Sequence, residues 1–266
     1  MRMKILFLFL AFFLASGLHL FAASEQSTID SSEITESSGI VKSRKYDDIF
    51  WTHNDSGDTA RIFAIHSDGT TVATVTIDGA YHVDWEDIAI SDAGQIYICD
   101  IGDNLMRRDD LVVYQIAEPK PEDQVVRVAR KIKFHYESKE GKSAHFDAEA
   151  CFFSDGNLYF LTKHRFYTEL FRLNLSDEEP IAKPISSLGI TGRVTGADVA
   201  PDGKRLAVLT YMGIYIFDKP KKNDDYLKGQ YRLIEQFFGQ AEGIAFDGAA
   251  LIITNEESEI LKVTYK

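Results

Sequence analysis

Glu242-Gly-Ile-Ala-Phe-Asp-Gly-Ala-Ala-Leu-Ile-Ile-Thr-Asn255 holds three signals in one short stretch. An acid opens a run of small and apolar residues, Asp-Gly interrupts it, and a second apolar run ends in threonine. Asp-Gly between apolar runs marks a hairpin, because glycine takes the positive φ that such turns demand. The same acid-led opening occurs at Glu36-Ser-Ser-Gly-Ile, Glu86-Asp-Ile-Ala-Ile, Glu149-Ala-Cys-Phe-Phe and Asp198-Val-Ala. The intervals are 50, 63, 49 and 44 residues. Repeats of about 40–50 residues are those of propeller blades. Turn signals recur at Ser91-Asp-Ala-Gly, Ser154-Asp-Gly and Pro201-Asp-Gly. Second runs recur at Ile49-Phe-Trp-Thr, Ile96-Tyr-Ile-Cys, Leu158-Tyr-Phe-Leu-Thr and Leu206-Ala-Val-Leu-Thr.

Working outward, each copy continues with a run of period two, which is a strand with one buried face. These runs are Arg61–His66, Leu111–Ile116, Glu169–Leu175, Gly213–Phe217 and Glu259–Val263. Fourth strands are expected at Thr71–Ile77, Val125–His135, Ile181–Leu188 and Tyr231–Phe237. The last copy ends at Lys266 without one, so Ser27–Ile34 is expected to complete it and close the ring. Closure protects strand edges. The fold expected is an all-β propeller of five blades, each of four antiparallel strands. The alternatives are a six-bladed ring, its extra blade within residues 104–149, and a β-sandwich with coincidental spacing.

Residues 1–24 read as a signal peptide, with Arg2 and Lys4 ahead of the apolar run Ile5–Leu14 and small residues at Ala22, Ala23 and Ser24. That leaves 25–266 as one propeller domain, expected to be exported to the periplasm or beyond and to be monomeric. The formal charge of −12 becomes −14 once Arg2 and Lys4 are removed. Such a balance argues against nucleic acid and anionic membranes, which need a basic footprint, and suits cations. Cys99 and Cys151 each lie in an apolar strand-like run. An exported chain could pair them, but sequence does not bring their sulfurs together, so two buried free thiols are the favoured reading and a disulfide the alternative.

In a propeller, the loop entering each inner strand and the loop between strands two and three emerge on one face. Those loops hold the unusual polar residues. Hard cations such as Ca²⁺ take oxygen ligands from carboxylates and amides. The candidate ligands are Glu36, Asn54, Asp55, Glu86, Asp100, Asp103, Asn104, Glu149, Asp198, Glu242, Asn255 and Glu256. The anchor acids are equally suited to accepting backbone N–H bonds from a neighbouring blade, so some are expected to lock the ring and others to ligate. His82-x-Asp84-x-Glu86 and His145-x-Asp147-x-Glu149 place three polar groups on one strand face if the strand runs through them. His53, His82 and His145 are the candidate general bases, or else hydrogen-bonding loop residues. There is no Gly-x-Ser-x-Gly elbow, P-loop, dinucleotide fingerprint or Cys-x-x-Cys pair.

The Glu-x-Gly-apolar openings, Glu242-Gly-Ile-Ala-Phe above all, resemble those of the gluconolactonase, SdiA-regulated and "esterase-like activity of phytase" propellers. His53-Asn-Asp-Ser-Gly, Asp84-Trp-Glu-Asp-Ile-Ala and Asp100-Ile-Gly-Asp-Asn are similar to the signature of exported bacterial propellers. The gluconolactonase resemblance implies a divalent ion held by residues of the kind of Glu36, Asn54, Glu86, Asp103, Asn104 and Asn255. The sequence differs from that family in blade count and in lacking its Glu-Gly-Pro opening. Three functions follow: a channel-face site for a divalent cation and a small ligand or protein partner; a metal-dependent hydrolase of an ester, lactone or phosphoester; and an interaction ring without metal.

Overall fold

The computed structural model describes residues 18–20 and 22–265, so most of the expected leader lies outside the described residues. The chain forms five sheets built on inner strands Ser37–Lys42, Trp85–Ile90, Ala148–Ser154, Val194–Val199 and Ala241–Asp247. We number the blades 1 to 5 in that order. Each inner strand pairs antiparallel with a second strand, and that with a third. In blades 2 to 5 the turn between the first two strands is one of the four read from glycine signals in the sequence. Among the described residues the only helical element is the single turn Tyr226–Lys228, and no helix is long and apolar enough to cross a membrane.

The ring closes as expected in kind but not in position. Ala22–Thr28, not Ser27–Ile34, pairs antiparallel with Glu259–Tyr265 as the fourth strand of blade 5. Ile29 and Ile34 instead drop from the loop into the core between blades 5 and 1. Leu18–His19 lies parallel to Tyr231–Ile234 on the edge of blade 4.

The long interval holds no sixth blade. Val125–Arg127 runs parallel to the edge of blade 1, Arg130–Lys133 is the fourth strand of blade 2, and His135–Glu137 runs parallel to Ile181–Gly189 of blade 3. The expected single strand Val125–His135 is therefore broken across three sheets. Its alternation explains the path: Ile132, Phe134 and Tyr136 turn inward between blades 2 and 3, while Lys131, Lys133 and His135 face out.

Five apolar clusters fill the five gaps between blades. Trp51, Trp85 and Ile98 meet between blades 1 and 2; Cys99, Phe160 and Phe171 between 2 and 3. Phe152, Tyr159 and Phe217 fill the next gap, Ile216, Ile244 and Phe246 the fourth, and Ile40, Phe63 and Ile252 the last. Full burial of such side chains is worth about 1.5–3 kcal/mol each, so blade-to-blade packing is the main cohesive term.

Two further ties cross between blades. Cys99 and Cys151 form a disulfide between the second strand of blade 2 and the inner strand of blade 3, with Cα atoms 6.9 Å apart. The expectation of free thiols is thereby corrected: the ring brings together two apolar runs that sequence gave no reason to juxtapose. Asp87, fully buried, accepts main-chain N–H bonds from Ile88 at 2.8 Å, Cys151 at 2.8 Å and Ala197 at 3.3 Å. One carboxyl group thus joins inner strands of blades 2, 3 and 4. Burial pushes its acid well above the usual range.

Candidate functional site

The mouth of the channel is built from three sets of five equivalent positions. In every inner strand the register slips by one residue, a β-bulge, and the bulged residues are Ser38, Glu86, Glu149, Thr195 and Glu242. Bulges re-aim side chains and are common beside functional sites. The first residue after each second strand is Asp55, Ile101, Lys163, Tyr211 or Glu256. Its N–H bonds to the carbonyl of the residue entering the inner strand: Glu36, Asp84, Asp147, Arg193 or Gln240 respectively. This pairing aligns Glu36 with Asp84, not with Glu86. The expected anchor register was therefore wrong by two residues in blade 1, where Ser38 holds the bulge. In blade 4 Thr195 holds it and Asp198 lies three residues on.

Ser38 and Thr195 turn their hydroxyls to neighbouring main chain, donating to the carbonyls of Glu86 at 2.9 Å and Ala241 at 2.8 Å. The three glutamates do not lock the ring in this way. Glu149 Oε2 pairs with Lys163 Nζ at 2.7 Å, and Tyr211 donates to Glu242 Oε1 at 2.6 Å. Glu149 also lies within side-chain hydrogen-bond reach of Glu86, so these two buried carboxyl groups compete for a proton.

Asp55, Asp84 and Glu86 converge from blades 1 and 2, each offering one carboxylate oxygen within 4.8 Å of the others. A Ca²⁺ ion about 2.4 Å from each ligand spans about that distance, so one ion fits all three. Gly102 makes room for them. A Cβ there would lie 2.0 Å from Glu86 Oε1 and 2.3 Å from Asp84 Oδ2. The Gly102 loop is fixed by Arg108, which donates to the Gly102 carbonyl and to Asp100 Oδ1, each at 2.8 Å. Asp100 in turn accepts the N–H groups of Val83 and Asp84, so it positions Asp84.

The acids crowd one another. Burial, then repulsion from Glu149, Asp55 and Asp84, pushes Glu86 well above the carboxylate range. Burial and Asp55 raise Asp84 to about 6, against the pull of Arg108. Glu242 reaches about 7 by burial, opposed by the Tyr211 hydroxyl and Lys163 and reinforced by Glu149 and Glu256. Burial also raises Glu149 and Glu256, Lys163 holding the first back while Glu36 and Asp55 add to the second.

Of the other candidate ligands, several spend their polar groups on loop structure. Asn54 accepts from the N–H groups of Thr35 and Glu36 and donates to Glu33 and Asp58. Asn255 plays the equivalent part in blade 5, accepting from Glu257 and Glu259. Asp103 caps the turn at Arg107 and Arg108. Asp198 accepts the N–H of Phe246 in blade 5 at 2.8 Å, and its burial raises it to about 6. Asn104 is exposed in the same loop as Asp103, and Glu36 is exposed in the groove it shares with Asp55. The residue that sequence reasoning left out of the ligand set is Asp84, whose signal was its place two residues before Glu86.

The histidines sit off the acidic cluster. His53 is fully buried edge-on to Trp85, its Nδ1 on the Asn54 carbonyl, and burial lowers its pKa to about 4. His82 stacks on Trp85 at 4.3 Å with Nδ1 facing the Thr59 carbonyl. His145 lies 3.7 Å from Asp103 and 3.9 Å from Asp109. Strand structure begins only at Trp85 and Ala148, so residues 82–84 and 145–147 are loops and their alternation does not align three groups.

Solved structures share this architecture. The PQQ-bound aldose sugar dehydrogenase of Streptomyces coelicolor superposes with a TM-score of 0.53 at 10% identity, covering 92% of this chain and 99% of that one. A gluconolactonase from Xanthomonas campestris gives 0.51 at 13%, covering 91% and 90%. An auxiliary nutrient binding protein of Bacteroides thetaiotaomicron gives 0.50 at 11%, covering 91% and 72%. The likeness is one of fold. No protein-family model matches the chain, and neither does any curated protein sequence.

Proposed function

We propose that the protein is an exported propeller whose channel mouth binds a divalent cation, Ca²⁺ first, and through it a small ligand. The observation that carries this reading is the convergence of Asp55, Asp84 and Glu86 beside Gly102. Three hard oxygen donors with the remaining positions open to water suit Ca²⁺ rather than a soft metal. When bound, the ion would supply positive charge to three crowded acids and polarise a ligand oxygen. Asp100 and Arg108 hold Asp84 and Gly102 in place for it. Binding is favoured over hydrolysis, because no imidazole among the described residues is hydrogen-bonded to the triad. The likeness to lactonase and sugar dehydrogenase propellers supports a small-molecule site on this fold and leaves its chemistry to the site itself. Export is supported by the leader-like sequence and by the Cys99–Cys151 disulfide, since such bridges persist in oxidising compartments.

The test is metal analysis of the purified protein, followed by melts in EDTA and in Ca²⁺. Saturation at 100 times Kd adds about 2.7 kcal/mol. Asp84→Asn is expected to abolish that shift with the fold intact. A melt unmoved by either addition, with no metal found, would overturn the reading.

A further inference from the structure

The five blades do not end alike, and their outer edges decide what the ring can pair with. An open edge offers unpaired N–H and C=O groups to any extended chain unless charge or a covering strand guards it. Blade 1 is covered by Val125–Arg127 and blade 3 by His135–Glu137. Blade 2 ends in Arg130–Lys133, where Arg130, Lys131 and Lys133 are exposed. Blade 5 ends in Ala22–Thr28, where Glu25, Gln26 and Ser27 are exposed. These two edges carry polar guards of their own.

Blade 4 differs. Its edge, Tyr231–Ile234, is covered by Leu18–His19, which runs parallel to it. The Leu20 N–H donates to the Leu233 carbonyl at 2.9 Å, and the Leu20 side chain packs on the core between blades 4 and 5. Residues 18–20 belong to the expected leader, which export removes. Glu25–Thr28 then stays in blade 5, while blade 4 loses its cover. What is left bare has no free charge: Leu233 and Ile234 are apolar, and Arg232 is held by Asp218. On the opposite face of the same edge, Leu233 and Tyr215 join Met212 and Phe237, 57% and 70% exposed, around a cleft of about 260 Å³.

We propose that the exported chain binds an extended apolar segment of a partner protein, added as a further strand parallel to Tyr231–Ile234. The seating of residues 18–20 on this edge shows the kind of segment that fits. Main-chain hydrogen bonds to Leu233 hold the added strand. Its alternate side chains enter the gap that Leu20 fills and the cleft of Met212 and Phe237. The inference rests on the export reading and is independent of the cation site.

The chain is purified after export, and its first residue is fixed by mass spectrometry. It is then titrated calorimetrically with the acetylated, amidated peptide Leu-His-Leu-Phe-Ala, which copies residues 18–22. Binding is expected, with hydrogen exchange slowed at the Leu233 N–H. Methylating the peptide nitrogen of the second leucine removes the donor to the Leu233 carbonyl and should weaken binding about 10-fold or more. Serine in place of both leucines should do the same. Leu233→Pro removes the N–H that points out of the edge, where proline is tolerated, and should abolish binding. Phe237→Ser, at an exposed position that folding does not need, should weaken binding and keeps the test decisive if the proline variant fails to fold. Equal binding of the methylated and unmethylated peptides, or no binding by a chain that begins near Glu25, overturns the proposal alone. A purified chain that retains residues 18–22 overturns the leader reading, and the proposal with it.

Discussion

Glu242→Gln is expected to stabilise the cation-free protein at pH 8 while leaving it within about 1 kcal/mol of wild type at pH 5. Glu242 is buried among acids, and its carboxyl rises from 4.5 to about 7 on folding. The folded protein thus keeps a proton that the unfolded chain has released. Stability from this group is whole below pH 4.5 and drains away as the pH climbs toward 7. That rise corresponds to about 3 kcal/mol at most. Glutamine never ionises and so escapes the loss, though it accepts less strongly from Tyr211, which takes back about 1 kcal/mol. The net gain of about 2 kcal/mol at pH 8 should raise Tm by about 4–8 °C in a chain of this size. Asp84 shifts in the same direction, but solvent reaches it and its share is smaller. Differential scanning calorimetry in EDTA at both pH values reads the effect. In wild type, Ca²⁺ should add more stability at pH 8 than at pH 5, because at the lower pH it must displace a proton from Asp84 of the triad. A variant that melts below wild type at pH 8, or a difference equal at both pH values, would refute the reasoning.

Removing the disulfide with Cys99→Ala and Cys151→Ala together opens a loop of 52 residues and should cost about 4 kcal/mol, read as a lower Tm that reductant no longer affects. Asp87→Ala orphans three buried N–H groups and should cost at least about 3 kcal/mol, read from the midpoint of chemical unfolding. Gly102→Ala puts a methyl group 2.0 Å from Glu86 Oε1 and should abolish Ca²⁺-dependent stabilisation while circular dichroism still reports a folded sheet.

The blade count was legible because the second apolar run recurs in all five copies and a glycine turn precedes it in four of them. Both are local, and local chemistry is what a sequence displays. The edges were less legible. Arg130–Lys133 and its neighbours alternate like one strand, yet each piece belongs to a different sheet, since edge pairing is decided by which blade passes nearby. The disulfide was illegible for the same reason: Cys99 and Cys151 meet only because blade 2 abuts blade 3. Asp84 was visible as a loop acid, but Glu86 and the other anchors drew the ligand assignment to the strand openings.

The register of those openings is where physical reasoning goes furthest beyond the sequence. Matching acids to acids aligned Glu36 and Asp198 with Glu86, whereas the bulge aligns Ser38 and Thr195 with it. A bulge inserts one residue against the ladder and throws its side chain off the alternating faces of the strand. Repeated in five blades, it delivers one side chain per blade to the mouth, whatever that side chain is. Where it is serine or threonine, the hydroxyl returns to the main chain and tightens the ring. Where it is glutamate, the carboxyl is too long and too charged to be absorbed that way, and it stands in the mouth beside the other acids. The same backbone device therefore serves cohesion on blades 1 and 4 and sets carboxyl groups in the mouth on blades 2, 3 and 5. Exchanging Thr195 for glutamate should consequently increase cation uptake at the expense of stability, because it moves one blade from the first duty to the second.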